Sequence, residues 1–122
     1  MDETMNERVT LTHTDYTVDY EPATSTITCQ GKFRLRSNNE YMPIIQLLRQ
    51  VADNQPETIV LDVRELDFLN SSGINVLSKF IIRVRGHKAS KITIKGVHTS
   101  AWQQKSLKNF QRLLPSITLE VD

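Results

Sequence analysis

Apolar and polar positions alternate along the first third of the chain and then change to helical spacing. Tyr16-Thr17-Val18-Asp19-Tyr20 and Thr26-Ile27-Thr28-Cys29-Gln30 both alternate every second residue and are rich in β-branched and aromatic side chains, as half-buried strands are. Glu21-Pro22-Ala23-Thr24 between them reads as a turn because Pro22 fixes its φ, so the pair predicts a hairpin. Gly31 ends the second strand or marks a bulge, and Phe33 and Leu35 extend that strand or lie against the core. Arg8 to His13 alternates weakly, with Val9 and Leu11 on one side, and is a candidate extra edge strand. Residues 1–14 thus read as an N-terminal segment ahead of a domain spanning 15–122, with a polar and loose start at Met1 to Glu7.

The first helical stripe is Tyr41, Ile44, Leu48 and Val51, ending near Asn54 before Pro56. Ser37 and Glu40 have capping-box spacing. Pro43, however, would cost about 3 kcal/mol inside a helix, so the expected cap is Asn39 or later. A β-branched run predicts a strand over Ile59 to Asp62, and Asp62 to Asp67 reads as an acidic loop. Asn70-Ser71-Ser72-Gly73 is a polar turn opening a helix over Ser72 to Arg85. Its core face is Ile74, Leu77, Ile81 and Val84, widened by Val76, Phe80 and Ile82, and Gly86 closes it. Lys91 to Lys95 alternates as a strand ended by Gly96. Thr99 or Ser100 caps a third helix, Ala101 to Leu113, that buries Trp102, Leu107, Phe110 and Leu113 or Leu114. Pro115 terminates it, and Ile117 to Val121 is a last strand. Leu48, Leu77, Ile81 and Phe110 are the expected centre of the core. This order predicts a single α/β domain in which a mixed sheet of about five strands carries about three helices joined by right-handed crossovers.

A chain of 122 residues is enough for one domain with a core of its own. Its single cysteine, Cys29, excludes an internal disulfide and suits a reducing cytoplasm. No apolar run nears the roughly 18 residues that span a bilayer, and the first residues lack the pattern of a signal peptide, so the expected location is cytoplasmic. Net charge is +1 but unevenly spread: nine acids and five bases precede Thr58, while five acids and ten bases follow. From Phe68 to Leu119 there is no Asp or Glu at all. That half is either a positive face toward an anionic partner or an ordinary solvated surface.

Candidate chemistry is sparse. Asp62, Glu65 and Asp67 have no histidine beside them and lack calcium-loop spacing, which favours a solvated loop over a metal or acid-base site. His13, His87 and His98 are dispersed without metal-ligand spacing. No phosphate-binding glycine loop or nucleophile elbow occurs, so no catalytic residue, cofactor or metal is assigned and an enzyme is not expected. Trp102 reads as a core residue more readily than as an interface anchor. Gly73 costs about 1 kcal/mol within a helix, so either the backbone packs closely there or a partner approaches closely. Taken alone, Asn70, Ser71 and Ser72 are a helix cap.

Phe68-Leu69-Asn70-Ser71-Ser72-Gly73-Ile74-Asn75-Val76-Leu77 resembles the signature of STAS domains, and more narrowly that of bacterial anti-sigma-factor antagonists that work by partner switching. The motif covers about ten residues and the element order nearly the whole chain. What the resemblance implies is a STAS-like fold and a non-enzymatic signalling regulator. Ser71 aligns with the serine phosphorylated by a partner kinase, ahead of its neighbour Ser72, and Asn70, Ser71, Ser72, Gly73 and Asn75 form the implied partner-binding surface. The implied partners are a serine kinase of the anti-sigma-factor type, bound in the unphosphorylated state, and a PP2C-like phosphatase that resets the switch. ATP and metal belong to those partners. Asn70 stands where the family usually has Asp, which puts a charge-dependent contact with either enzyme in question. Two other readings remain: a basic-faced nucleic-acid- or anion-binding module, and a small-ligand-binding STAS module. The first lacks interleaved exposed aromatics and any reading motif, and the second lacks specific pocket residues.

Overall fold

Six strands lie side by side in the order in which the chain makes them. In the computed structural model, which describes residues 5–122, these are β1 (Val9–Thr12), β2 (Tyr16–Glu21), β3 (Thr26–Phe33), β4 (Thr58–Leu69), β5 (Lys91–Gly96) and β6 (Thr118–Val121). The loose start expected at Met1 to Thr4 lies outside the described residues. Strands β1, β2 and β3 are antiparallel neighbours, whereas β3 to β6 run parallel. Each parallel step is made by a helix: α1 (Asn38–Asn54), α2 (Ser71–His87) and α3 (Ala101–Leu113). Successive parallel strands that always step in the same direction, through crossovers of one hand, place every helix on the same side. The chain has a STAS-like fold, with a six-stranded mixed sheet and three helices.

That one-sidedness explains the strand pattern. Tyr16, Val18, Tyr20, Ile27, Cys29, Ile59, Leu61, Ile92 and Ile94 are buried, while the alternate positions Thr17, Asp19, Thr28, Asp62, Thr93 and Lys95 are only half-buried. The helices supply Tyr41, Ile44, Leu48, Val51, Leu77, Ile81 and Phe110 to the same core. Leu48, Leu77, Ile81 and Phe110 are each no more than 3% exposed, as the helical spacing predicts.

Strand β4 differs most from expectation. Its buried positions step by two from Ile59 to Leu61 to Val63, then by three to Leu66 and Leu69. Opposite β3, the register jumps from Thr28↔Asp62 to Gln30↔Glu65 and from Gly31↔Leu66 to Lys32↔Phe68. Each jump inserts an extra β4 residue, a bulge that shifts the side-chain phase. The expected acidic loop, Asp62 to Asp67, is therefore the bulged second half of one long strand. Strand β3 likewise continues through Gly31, whose φ of +94° suits glycine and which lies so close to β2 that a Cβ would sit 2.3 Å from the Asp15 carbonyl oxygen.

Helix α1 starts earlier than Pro43 suggested. Ser37 Oγ accepts from the Glu40 N–H at 3.3 Å, and Glu40 Oε1 accepts from the Arg36 N–H at 2.8 Å. Pro43 sits inside the helix on its exposed side, so the Asn39 carbonyl that it leaves free belongs to an exposed residue open to water. Helix α2 runs past Gly86 to His87 and is closed by Lys88 in a left-handed conformation. Ile82, expected to widen its buried face, is 40% exposed because it falls on the outer side of the helix.

Candidate functional site

Everything at the start of α2 hangs on Asn70. Its main-chain N–H donates to the Phe33 carbonyl at 3.0 Å, joining the ends of β3 and β4, and its carbonyl accepts from Ile74 N–H to begin the helix. The side-chain Oδ1 caps the helix by accepting from Gly73 N–H at 2.8 Å, and also accepts from the Tyr41 hydroxyl at 2.9 Å. Its Nδ2 donates to the Leu35 carbonyl at 2.8 Å. One side chain thus ties together α2, α1 and the segment after β3. Burial raises the Tyr41 phenol above its ordinary pKa, so it stays a donor.

This network answers the departure at position 70. Gly73 N–H can only donate and the Leu35 carbonyl can only accept, so the side chain between them must offer both an acceptor and a donor. Asparagine does. An ionised aspartate would keep the cap but set a carboxylate oxygen against a carbonyl oxygen.

With Asn70 occupied, Ser71 is left at the first helical position, exposed, and makes no side-chain hydrogen bond among the described residues. Ser72 is half-buried and Asn75 is exposed one turn further along. Gly73 is buried, and a Cβ there would lie 2.5 Å from Leu69 Cδ1 and 3.0 Å from the Tyr41 hydroxyl oxygen. The molecule's own packing accounts for that glycine, since moving Tyr41 would disturb its bond to Asn70. The first turn of α2 contains no acidic residue, so the partial positive charge of its free N–H groups is not offset locally. Beside it, Phe68 is 45% exposed and forms with Ile74, Trp102 and Lys105 a shallow hollow of about 290 Å³.

The other sequence candidates lie elsewhere. Asp62 pairs with Arg64 at 2.8 Å on the open face of the sheet, and Glu65 and Asp67 are exposed. Among the described residues no group of three or more His, Cys, Asp or Glu side chains could hold a metal ion. Cys29 is buried in the core, which pushes its thiol up to about 12. Trp102 is structural: β4 outruns β5, which pairs with it only as far as Asp62, and the carbonyls beyond need other donors. Trp102 Nε1 donates to Leu66 O at 2.6 Å and Gln103 Nε2 to Val63 O at 2.8 Å. Sequence reasoning passed over Gln103, whose signal is an amide at a buried helical position, and read Tyr41 and Leu35 only as core or strand residues, not as partners of Asn70. His87 meets Asp53 at 2.8 Å and Arg83 holds the same carboxylate, so the far end of α2 is an exposed ion cluster. Among the described residues no helix is long and apolar enough to cross a membrane.

No protein-family model and no curated protein matches the chain. Solved structures do. SiaC of Pseudomonas aeruginosa superposes with a TM-score of 0.69 over 95% of this chain and 98% of its own, at 13% identity. SiaC in the complex with the diguanylate cyclase SiaD, whose activator it is, gives 0.69 over 93% of this chain and 99% of that one, also at 13% identity. An anti-sigma factor antagonist from Mycobacterium paratuberculosis gives 0.58 over 93% and 86%, at 15% identity. These likenesses establish the fold alone.

Proposed function

We propose that this chain is a regulator that binds a protein partner through the start of α2 and is switched by phosphorylation of Ser71. One observation carries the reading: the capping is done by Asn70, which leaves the adjacent Ser71 hydroxyl exposed and unengaged at a helix N-terminus without acids. A phosphate there adds about −1.5 to −2 charges and three acceptor oxygens. The helix N-terminus tolerates the dianion, so the fold survives while a surface shaped for a neutral serine is lost. Ser72 and Asn75 complete the contact surface around it, while buried Gly73 lies beneath it.

The partner is a serine kinase of the anti-sigma-factor type, held by the unphosphorylated chain and released by the phosphorylated one, with a PP2C-like phosphatase as the reset. ATP and metal are used by those enzymes, not by this chain. The likeness to SiaC supports a second version of the output, in which the released or bound target is an enzyme rather than a sigma factor. Incubation with a candidate kinase followed by phosphopeptide mapping is the test. Phosphate on Ser71, absent in Ser71→Ala, is the expected result; phosphate on Ser72 or on neither serine rejects the assignment.

A further inference from the structure

A cleft of about 270 Å³ runs between α1 and α2, floored by Met42, Ile45 and Phe80 and rimmed by Arg49, Lys79 and Arg83. Asn38 lines one end, and the Tyr41–Asn70 hydrogen bond ties the starts of the two helices together, so the cleft leads back from the Ser71 turn. No acidic side chain lines it. Arg83 is held by Asp53 at 2.7 Å, but Arg49 and Lys79 have no ion-pair partner among the described residues. Glu40, the acid in the first turn of α1, is engaged by the Arg36 main chain.

We infer that this cleft receives an acidic, amphipathic helix of the protein partner. The inference rests on the reading that the chain acts by binding a protein, and it adds the surface and the chemistry of what is bound. Exposed Arg49 and Lys79, rather than convergent buried polar groups of the kind that orient a small molecule, flank it. Two neighbouring helices present ridges with a groove between them, into which a third helix packs its own ridge. From Asn38 to Arg49 the groove extends about 16 Å, or three turns of a partner helix. Apolar side chains at i, i+4 and i+7 of that helix reach the Met42, Ile45 and Phe80 floor. Acids on its flanks meet Arg49 and Lys79, which fixes orientation and speeds encounter.

The probe is a synthetic helical peptide of about 15 residues with leucines at i, i+4 and i+7 and glutamates on both flanks. A matched peptide carries lysines in place of the glutamates. The full unphosphorylated chain is followed by amide chemical shifts and by fluorescence anisotropy. Expected are shifts at Met42, Ile45, Lys79 and Phe80 with the acidic peptide, and binding at least about tenfold weaker with the basic one. The Arg49→Glu/Lys79→Glu double variant should lose a similar factor, and Arg49→Ala/Lys79→Ala a smaller one, both with unchanged melting. Equal affinity for the two peptides, no shift in the cleft, or shifts confined to the Phe68–Lys105 side overturns the inference. Displacement of the peptide by a single-stranded oligonucleotide would assign the cleft to nucleic acid instead. Self-association abolished by the same double variant would assign it to a second copy of the chain. None of these readouts uses a kinase or Ser71, so the cleft and the phosphoswitch stand or fall separately.

Discussion

Helices α2 and α3 begin in similar ways in sequence and in opposite ways in space. Each follows a parallel strand, and each opens on a small polar residue, Asn70 or Ser100, in extended backbone. At α2 the cap residue is fully engaged, and the serine after it faces solvent with its hydroxyl free. At α3 the cap makes no side-chain hydrogen bond, and the Ser100 hydroxyl is buried without a partner among the described residues. That helix start is held instead by Trp102 and Gln103, two and three residues further on, reaching the bulged half of β4. A serine at a helix start is thus not a site in itself. It becomes available for chemistry only when another residue does the structural work.

The sharpest way to break this contrast is to remove the engaged cap. Asn70→Ala deletes the Gly73 cap and strands the Leu35 carbonyl and the Tyr41 hydroxyl, for a loss of about 2–4 kcal/mol. A chemical melt showing less than about 1 kcal/mol would mean that α2 is held in some other way. Next in size is Gln103→Leu, which leaves Val63 O and Val97 N–H without their partners and should cost about 2 kcal/mol in the same melt. If it proves neutral, α3 does not anchor the end of β4.

Asn70→Asp sharpens the comparison further. The cap is retained and the donor to Leu35 O is lost, so a drop of about 1 kcal/mol is expected at neutral pH. A gain in stability would show that charge at the helix start outweighs the amide donor. Acid distinguishes the two ends of α2, because its start holds no titrating carboxylate while its end relies on Asp53. Arg83 and His87 hold Asp53 down to about 2 from 3.8, so its contribution is present above pH 3.8 and is lost as pH falls through about 2. For so exposed a cluster the loss should be at most about 1 kcal/mol. Acid titration of Asp53→Asn should show that limb flattened; an unchanged limb would assign it to other carboxylates.

The smallest effects on stability are the most informative about function. Ser71→Ala and Ser100→Ala should each stay within about 0.5 kcal/mol of the parent. Kinase treatment then separates them, with phosphate incorporation lost in Ser71→Ala and kept in Ser100→Ala. A large stability loss at Ser71 would return it to the role of a cap.

Much of the architecture was legible because periodicity reports burial. The three-four spacing of Leu77, Ile81 and Val84 and the alternation of Ile92 and Ile94 follow directly from facing one apolar layer. The turn Asn70 to Gly73 was legible as a helix cap for the same local reason, but which of Asn70, Ser71 and Ser72 does the capping and which is left exposed was not. The length of β4 was not, since two bulges break its period and its second half pairs on only one side, allowing Arg64, Glu65 and Asp67 to sit exposed. Nor was the start of α1, where a local penalty at Pro43 is offset by the cap at Ser37 and by solvent around the freed carbonyl. The chemistry of Asn70 belongs to the tertiary structure alone. Its partners Leu35 and Tyr41 are 35 and 29 residues away in the chain, and only the folded sheet brings an acceptor and a donor to opposite edges of one amide.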